Sequence, residues 1–236
     1  MSVIISGRNP VIEAIRAGRK IEEIYLQERT NKDVIKLARE KLIPYVWMTK
    51  QEITKMLGKA NQGIGAKVAD YEYGSIENLL EPSDHKRVVV MLDGVQDPQN
   101  LGAIMRSCDA FEVDAIIIPK NRSVHLNATV AKVSTGAIEY VPVVEVVNLH
   151  QTIRKLKNVG YWVAGTDMNG DRTIHDIPID ADLVIVIGSE GDGMSRIVRD
   201  NCDFIATIPM KGHVNSLNAS VSAALILYDI FHRKGE

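Results

Sequence analysis

"RVVVMLDGVQDPQNLGAIMRSCDAF", residues 87 to 111, decides the fold. Its opening apolar run, VVVMLDG, reads as a strand, and residues 98 to 110 read as a helix, with Asp93-Gly94 and Asp97-Pro98 shaping the turn between them. The same alternation continues to the end of the chain. "AIIIP" is a strand, 126 to 134 a helix, "VPVVEV" a strand, 149 to 157 a helix and "YWVAGTD" a strand. "LVIVIGSE" is a strand, 195 to 201 a helix, "FIATIPM" a strand and 219 to 232 the last helix. Continuous β-branched runs separated by helices predict a parallel sheet covered on both faces.

Working toward the N-terminus, "GSIENLLEPSDHKR" at 74 to 86 has the composition of a linker. Before it lies a smaller α/β unit. "NPVIEAIRAG" places apolar residues at 11, 12, 15 and 17 with Gly18 as a stop. "IEEIYL" reads as a strand, 31 to 41 as a helix, "YVWM" as a strand and "IGAKVADYEY" as a closing strand. The expected domains are therefore 1–73, a linker at 74–86, and 87–236.

At 236 residues the chain is long enough for two domains with a sizeable core. Cys108 and Cys202 lie far apart with no CxxC spacing, which speaks against a zinc site or disulfide framework and fits a reducing cytoplasm. The six histidines are scattered without HxxxH spacing, so no metal is expected. No window approaches the roughly 20 apolar residues of a membrane span. Net charge is −2, but residues 1 to 73 carry 13 Lys+Arg against 9 Asp+Glu and the remainder 15 against 21. The basic leading part fits either a nucleic-acid footprint or a solvated face.

In sheets of this type ligands bind beyond the carboxyl ends of the strands, so the loops there carry the chemistry. The first loop leads into a helix bearing Asn100 and Arg106. Six residues apart, these face roughly opposite sides unless Asn100 sits at the very start, so Asn100 is expected at or near the N-cap with Arg106 one to two turns inside. A cap and a surface cation would be the structural account of the pair. The second loop, "IGSEGDGMS" at 187 to 195, has three glycines in six residues and Glu190 in their midst. There is no GxxxxGK[ST], and a carboxylate would repel phosphate. Tight-turn chemistry explains the glycines but not the acid. The third loop, within "IPMKGHVNSLNASVSAA", offers Ser216, Asn218 and Ser220 before an apolar helix. Capping occupies one of them and leaves others for a pocket. No GxSxG signature is present, and Cys108 inside an apolar helix reads as packing.

Taken in order, "DPQNLGAIMRSCDAF", "IGSEGDGMS" and "IPMKGHVNSLNASVSAA" closely resemble the three motifs of the SpoU family of RNA ribose methyltransferases, within the SPOUT superfamily. The N-terminal "ISGRNPVIEAIRAG", "IEEIYL" and "NQGIGAKVADYEY" resemble the RNA-binding module that precedes this domain in ribosomal-RNA members. One departure is Asn61, where family members commonly show His before Gln-Gly.

The resemblance implies S-adenosylmethionine-dependent methylation of a ribose 2′-hydroxyl. It also implies a C-terminal segment threaded through a deep trefoil knot, and a homodimer to which the final apolar helix contributes. It places the cofactor at Gly188, Ile208 and Leu217, with Thr166 closing the pocket. It makes Arg106 the residue acting on the 2′-hydroxyl, with Asn100, Glu190, Ser216 and Asn218 as the frame that orients Arg106 and the ribose. A guanidinium, with a pKa above about 12, is a poor base, so stabilising the developing alkoxide or binding a phosphate stands beside proton abstraction as its role. The substrate implied is a guanosine of 23S ribosomal RNA. A transfer-RNA enzyme, an antibiotic-resistance methyltransferase of similar build, and a non-catalytic RNA-binding or ribosome-assembly factor are the alternatives.

Overall fold

Strands and helices alternate along the computed structural model, which describes residues 2–28, 30–213 and 216–235. The chain divides into two units. The first comprises Met1–Glu72 together with Leu126–Tyr140, and the second Tyr73–His125 with Val141–Glu236.

The first unit contains β1 (Ser2–Ser6), α1 (Arg8–Arg16), β2 (Ile21–Gln27), α2 (Lys32–Glu40), β3 (Tyr45–Met48), α3 (Lys50–Leu57) and β4 (Ile64–Ala69). The sheet order is β1-β4-β2-β3, with β4 antiparallel to both neighbours and β3 parallel to β2. Alternation along the strands puts Ile5, Ile24, Leu26, Ile64, Ala66 and Val68 at zero exposure, on strands met by α1 and α3, with α2 lying against α1. α3 is nucleated by a capping box: the Thr49 side chain accepts from the Glu52 amide, and Glu52 accepts from Thr49.

The second unit begins with α4 (Glu77–Leu80), β5 (Val88–Asp93), α5 (Pro98–Ala110) and β6 (Ala115–Pro119). The next helix, α6 (Ala128–Ser134), and a 3-10 turn at Ala137–Glu139 belong to the first unit, where α6 packs on β1 and α1. The chain then returns as β7 (Val143–Val146), α7 (Leu149–Asn158), β8 (Trp162–Thr166), β9 (Arg172–Thr173), β10 (Leu183–Gly188), α8 (Arg196–Arg199), β11 (Phe204–Thr207) and α9 (Ala219–Lys234). Seven parallel strands run in the order β7-β6-β5-β10-β8-β11-β9.

Both faces of this sheet are covered, which is why its strands are apolar without interruption. Val89, Met91, Val184 and Val186 point to one side, into a core completed by Leu79 of α4, Leu149, Ile153 and Leu156 of α7, and Val198 of α8. The opposite side receives α5 and α9, which lie against each other. Leu79 shows that the linker-like stretch is not free chain: its side chain joins the core, and Gly74 bridges to Val144. α5 covers the expected residues, Pro98–Ala110, but Asn100 is not its cap. Asp97 is its N-cap, accepting from the Gln99 amide at 2.9 Å, with Pro98 in the first helical position. Asn100 is thereby released from capping.

Candidate functional site: a three-loop cleft at the carboxyl edge

Asn100 sits in the first turn of α5, buried at 8% exposure, where an unsatisfied amide would be costly. Its Nδ2 donates to Glu190 Oε1 at 3.0 Å, and its Oδ1 accepts from Asn218 Nδ2 at 3.0 Å. Asn218 Nδ2 also donates to Glu190 Oε1, and the Ala219 amide approaches the same oxygen at 3.4 Å. Each of the three loops supplies one member of this ring.

Asn218 performs two tasks at once. Its Oδ1 caps α9, accepting from the Ser220 and Val221 amides at 2.9 and 3.3 Å, so its Nδ2 is forced toward Glu190. The orientation of both amides is therefore fixed by the helix terminus on one side and a carboxylate, which can only accept, on the other. Glu190 is the acid among glycines that tight-turn chemistry left unexplained, and its partners are two amides from distant loops.

The glycines around Glu190 have a backbone reason. A Cβ on Gly188 would stand 2.3 Å from the Gly193 carbonyl carbon, because Ser189 and Gly193 pair across a tight hairpin. Gly193 has φ +67°, the left-handed region that a glycine adopts at little cost. Asp93 at the end of β5 accepts from the Ser195 amide at 2.7 Å and ties the first loop to the far end of the second.

Beside the ring opens a cleft of about 770 Å³. Thr166, Gly188, Ile208 and Leu217 all line it, as do Glu190, Ser216 and Asn218. Thr166 Oγ1 is anchored on the Val186 carbonyl at 2.9 Å. Sequence reasoning missed Asp167, Met168, Asp192 and Met210 on the same walls. Gly170 carries a signal that could have pointed to the Asp167 loop, since a Cβ there would lie 2.6 Å from the Ile205 carbonyl oxygen.

Arg106 is not brought to the cleft. It lies on the exposed side of α5 and has no hydrogen-bonding or ionic partner among the described residues. Asn100 and Arg106 thus face opposite ways, as their six-residue separation implies. Neither cysteine competes as a nucleophile: burial pushes the Cys108 thiol well above its ordinary range and the Cys202 thiol up to about 12.

The cleft fits a cationic, partly apolar ligand. Ile187, Met168, Met210 and Leu217 supply a slot for a flat ring or thioether, and Glu190 and Asp192 supply negative charge beside Asp167, which is paired with Arg199 at 2.7 Å, with no Lys, Arg or His among the described lining residues. A sulfonium nucleoside with an amino-acid tail matches that donor set.

Asn61, where the family pattern has His, is buried at 4% exposure and builds its own loop. Its Oδ1 accepts from the Gly63 amide at 2.7 Å and its Nδ2 donates to the Gly58 carbonyl. It is a scaffold residue of the turn that carries Gln62.

Comparison with known proteins agrees with this geometry. The family model described as the SpoU rRNA Methylase family matches residues 87–228, and that described as RNA 2′-O ribose methyltransferase substrate binding matches residues 4–74. A TrmH family tRNA/rRNA methyltransferase of Staphylococcus haemolyticus is 46% identical over 239 residues, covering 98% of this chain and 96% of the relative. Its counterpart in Staphylococcus aureus is 47% identical over 238 residues, with the same coverage. Among solved structures, the SpoU methyltransferase AviRb of Streptomyces viridochromogenes, in complex with AdoMet, superimposes with a TM-score of 0.85 over 99% of this chain and 90% of its own, at 23% identity. The AdoMet-bound rRNA methyltransferase of Sinorhizobium meliloti gives 0.83 over 98% and 87%, at 21% identity. Those two likenesses are of fold. With both halves matched and close relatives spanning nearly the whole length, the chain belongs to the SpoU family of RNA methyltransferases and carries that family's substrate-binding domain ahead of the catalytic one.

Proposed function

We propose that this RNA methyltransferase transfers a methyl group from S-adenosylmethionine to the 2′-hydroxyl of a guanosine in 23S ribosomal RNA, acting as a cytoplasmic homodimer. The observation that carries the proposal is the ring of Asn100, Glu190 and Asn218, which closes three loops of distant sequence beside one acidic, partly apolar cleft.

When bound, the cofactor supplies an electrophilic methyl on a cationic sulfur with a neutral leaving group. The chain's part is then chiefly alignment. Thr166, Gly188, Ile208 and Leu217 hold the cofactor against the loop backbones, and the carboxylate of Glu190 fixes the wall of the cleft through its two amide donors. Ser216 and Asn218 border the same space and orient the ribose. Arg106 lies outside this cleft, and its role, stabilising the developing alkoxide or the phosphate beside it as an always-protonated cation, rests on the resemblance of its motif and on an exposed guanidinium with no partner among the described residues.

Residues 1–73 serve as the RNA-binding module, in line with the substrate-binding match at 4–74. The trefoil knot of the family is consistent with the return of the chain from β11 to Asn218, which bonds back to the loops of β5 and β10. The dimer contact is the outer face of α9. Val221, Leu225, Tyr228 and Phe231 form one stripe there, 46%, 42%, 56% and 46% exposed.

The test offers labelled S-adenosylmethionine and purified protein to unmodified ribosomal RNA and to transfer RNA in separate reactions. Label is expected in ribosomal RNA, with Arg106→Ala lowering transfer at least about a hundredfold, the scale of a lost electrostatic stabiliser, while cofactor affinity is kept. Label confined to transfer RNA would overturn the substrate, and full activity of Arg106→Ala would overturn the role of Arg106.

A further inference from the structure

At the carboxyl edge of the seven-stranded sheet the loops after β8 and β10 line an acidic cleft, with Lys211 after β11 outside its lining. The cleft beside β8 and β10 carries Asp167, Glu190 and Asp192 and no cationic lining residue. On the far side of β5, the segment that follows β6 carries Lys120 and Arg122. Both are exposed, and neither side chain has a hydrogen-bonding or ionic partner among the described residues. Several other cations of this unit are tied down: Lys157 to Asp203 at 2.6 Å, Arg199 to Asp167 at 2.7 Å, and Arg233 to Asp229 at 2.8 Å.

The segment that presents Lys120 and Arg122 is itself firmly built. The Lys120 amide donates to the Val146 carbonyl at 2.8 Å, and the Val124 amide donates to the Val95 carbonyl at 3.0 Å. His125 Nδ1 lies 3.0 Å from Glu145 Oε2. Arg122 adopts φ +59°, a left-handed conformation that is costly for a non-glycine residue and that local packing must hold. The bond from Val124 to Val95 fastens this segment to the loop that runs into Asn100.

β6 and β10 flank β5, so the strand ends from which the two cations and the Glu190 loop depart stand about 10 Å apart, at roughly 4.8 Å per strand. An RNA chain cannot offer a ribose to an acidic cleft without bringing its phosphates to the same edge. Those phosphates are repelled by Glu190 and Asp192, Asp167 being paired with Arg199, and drawn toward the free cations beyond β5. We propose that Lys120 and Arg122 bind the phosphates flanking the methylated ribose and so set the side from which the RNA enters the site. The inference rests on the reading of the chain as an RNA methyltransferase.

The decisive measurement is binding of the full-length protein to bulk ribosomal RNA and bulk transfer RNA across a salt series, with cofactor affinity and methyl transfer followed in parallel. Lys120→Ala/Arg122→Ala is expected to raise the Kd for the methylated RNA at least about tenfold near 0.1 M salt. It should also flatten the slope of log K against log salt by about 1.4, two contacts at roughly 0.7 each, with the cofactor Kd unchanged. The charge-keeping Lys120→Arg/Arg122→Lys should retain the wild-type slope. Arg154→Ala/Lys155→Ala, which removes two charges from α7, should leave both quantities near wild type. Unchanged RNA affinity and slope would overturn the proposal, as would equal loss of RNA and cofactor affinity. Failure of the wild-type protein to methylate either RNA would instead sink the methyltransferase reading, and the slopes would still decide the role of the two cations.

Discussion

A carboxylate that accepts from two amides of different loops makes Glu190 the keystone of the site at the scale of single residues. Because Asn218 Oδ1 is committed to the α9 cap, only its Nδ2 can reach Glu190, and Asn218→Asp would set two carboxylates in contact without changing shape. We expect that variant to lose about 1–2 kcal/mol of cofactor binding, roughly a tenfold rise in Kd, by the cost of a lost hydrogen bond to a charged group. Titration calorimetry would detect it, and an unchanged Kd would remove Glu190 from the cofactor wall. Most of this ring was legible in the sequence. Glu190 stood out as an acid that its glycines did not explain, and Asn218 as one polar group more than a cap requires. What differed for Asn100 is the cap, which Asp97 supplies and only the local backbone reveals, while its place beside Glu190 and Asn218 is the one the resemblance implied.

Two apolar faces distinguish α9 among the elements. Ala223, Ile226, Leu227 and Ile230 are buried against α5 and the sheet, while the opposite stripe is largely exposed, with the Phe111 ring 6.0 Å from Tyr228 and 5.7 Å from Phe231 and the His232 ring stacked on Tyr228 at 5.9 Å. Leu225→Glu/Tyr228→Glu places two charges in the centre of that stripe and none in the core. Light scattering should report about half the wild-type mass, with far-ultraviolet circular dichroism unchanged. An unchanged mass of twice the chain would move the proposed dimer contact elsewhere. The long helices and buried strands were readable from periodicity because both sheet faces are covered. α3 was missed although Thr49-Lys-Gln-Glu52 carries a capping box, and β1 because five residues do not distinguish an antiparallel strand from coil. β9, two residues long, has no pattern to read.

For the whole molecule, the division of the chain is the finding that sequence order conceals. A boundary near residue 73 is visible as a change in composition, but the inclusion of Leu126–Tyr140 in the first unit depends on contacts made across more than a hundred residues. Arg19 and Glu139 pair at 2.7 Å with side chains 10% and 7% exposed, and Arg19 also donates to the Ala69 carbonyl and stacks on Tyr71 at 4.0 Å. Gly136 meets Glu13 so closely that a Cβ would lie 2.4 Å from its side chain, and Tyr140 Oη donates to Glu13 at 2.6 Å. Arg19→Met strands Glu139 in a buried setting and is expected to cost about 3–5 kcal/mol in denaturant unfolding, with Arg19→Met/Glu139→Leu recovering most of the loss. Equal stability of the single variant and wild type would mean that Leu126–Tyr140 is not held by this pair.

That division also sets a timetable for synthesis. The four strands of the first sheet have all been made once residue 69 is added, yet α6, which covers β1, and the 3-10 turn bearing Glu139 follow as many as 70 residues later. At about 5–20 residues per second the ribosome needs roughly 4–14 s to supply them. Through that interval the flank of β1 and α1 stays uncovered, and the first unit closes only after β5, α5 and β6 of the second have already been made.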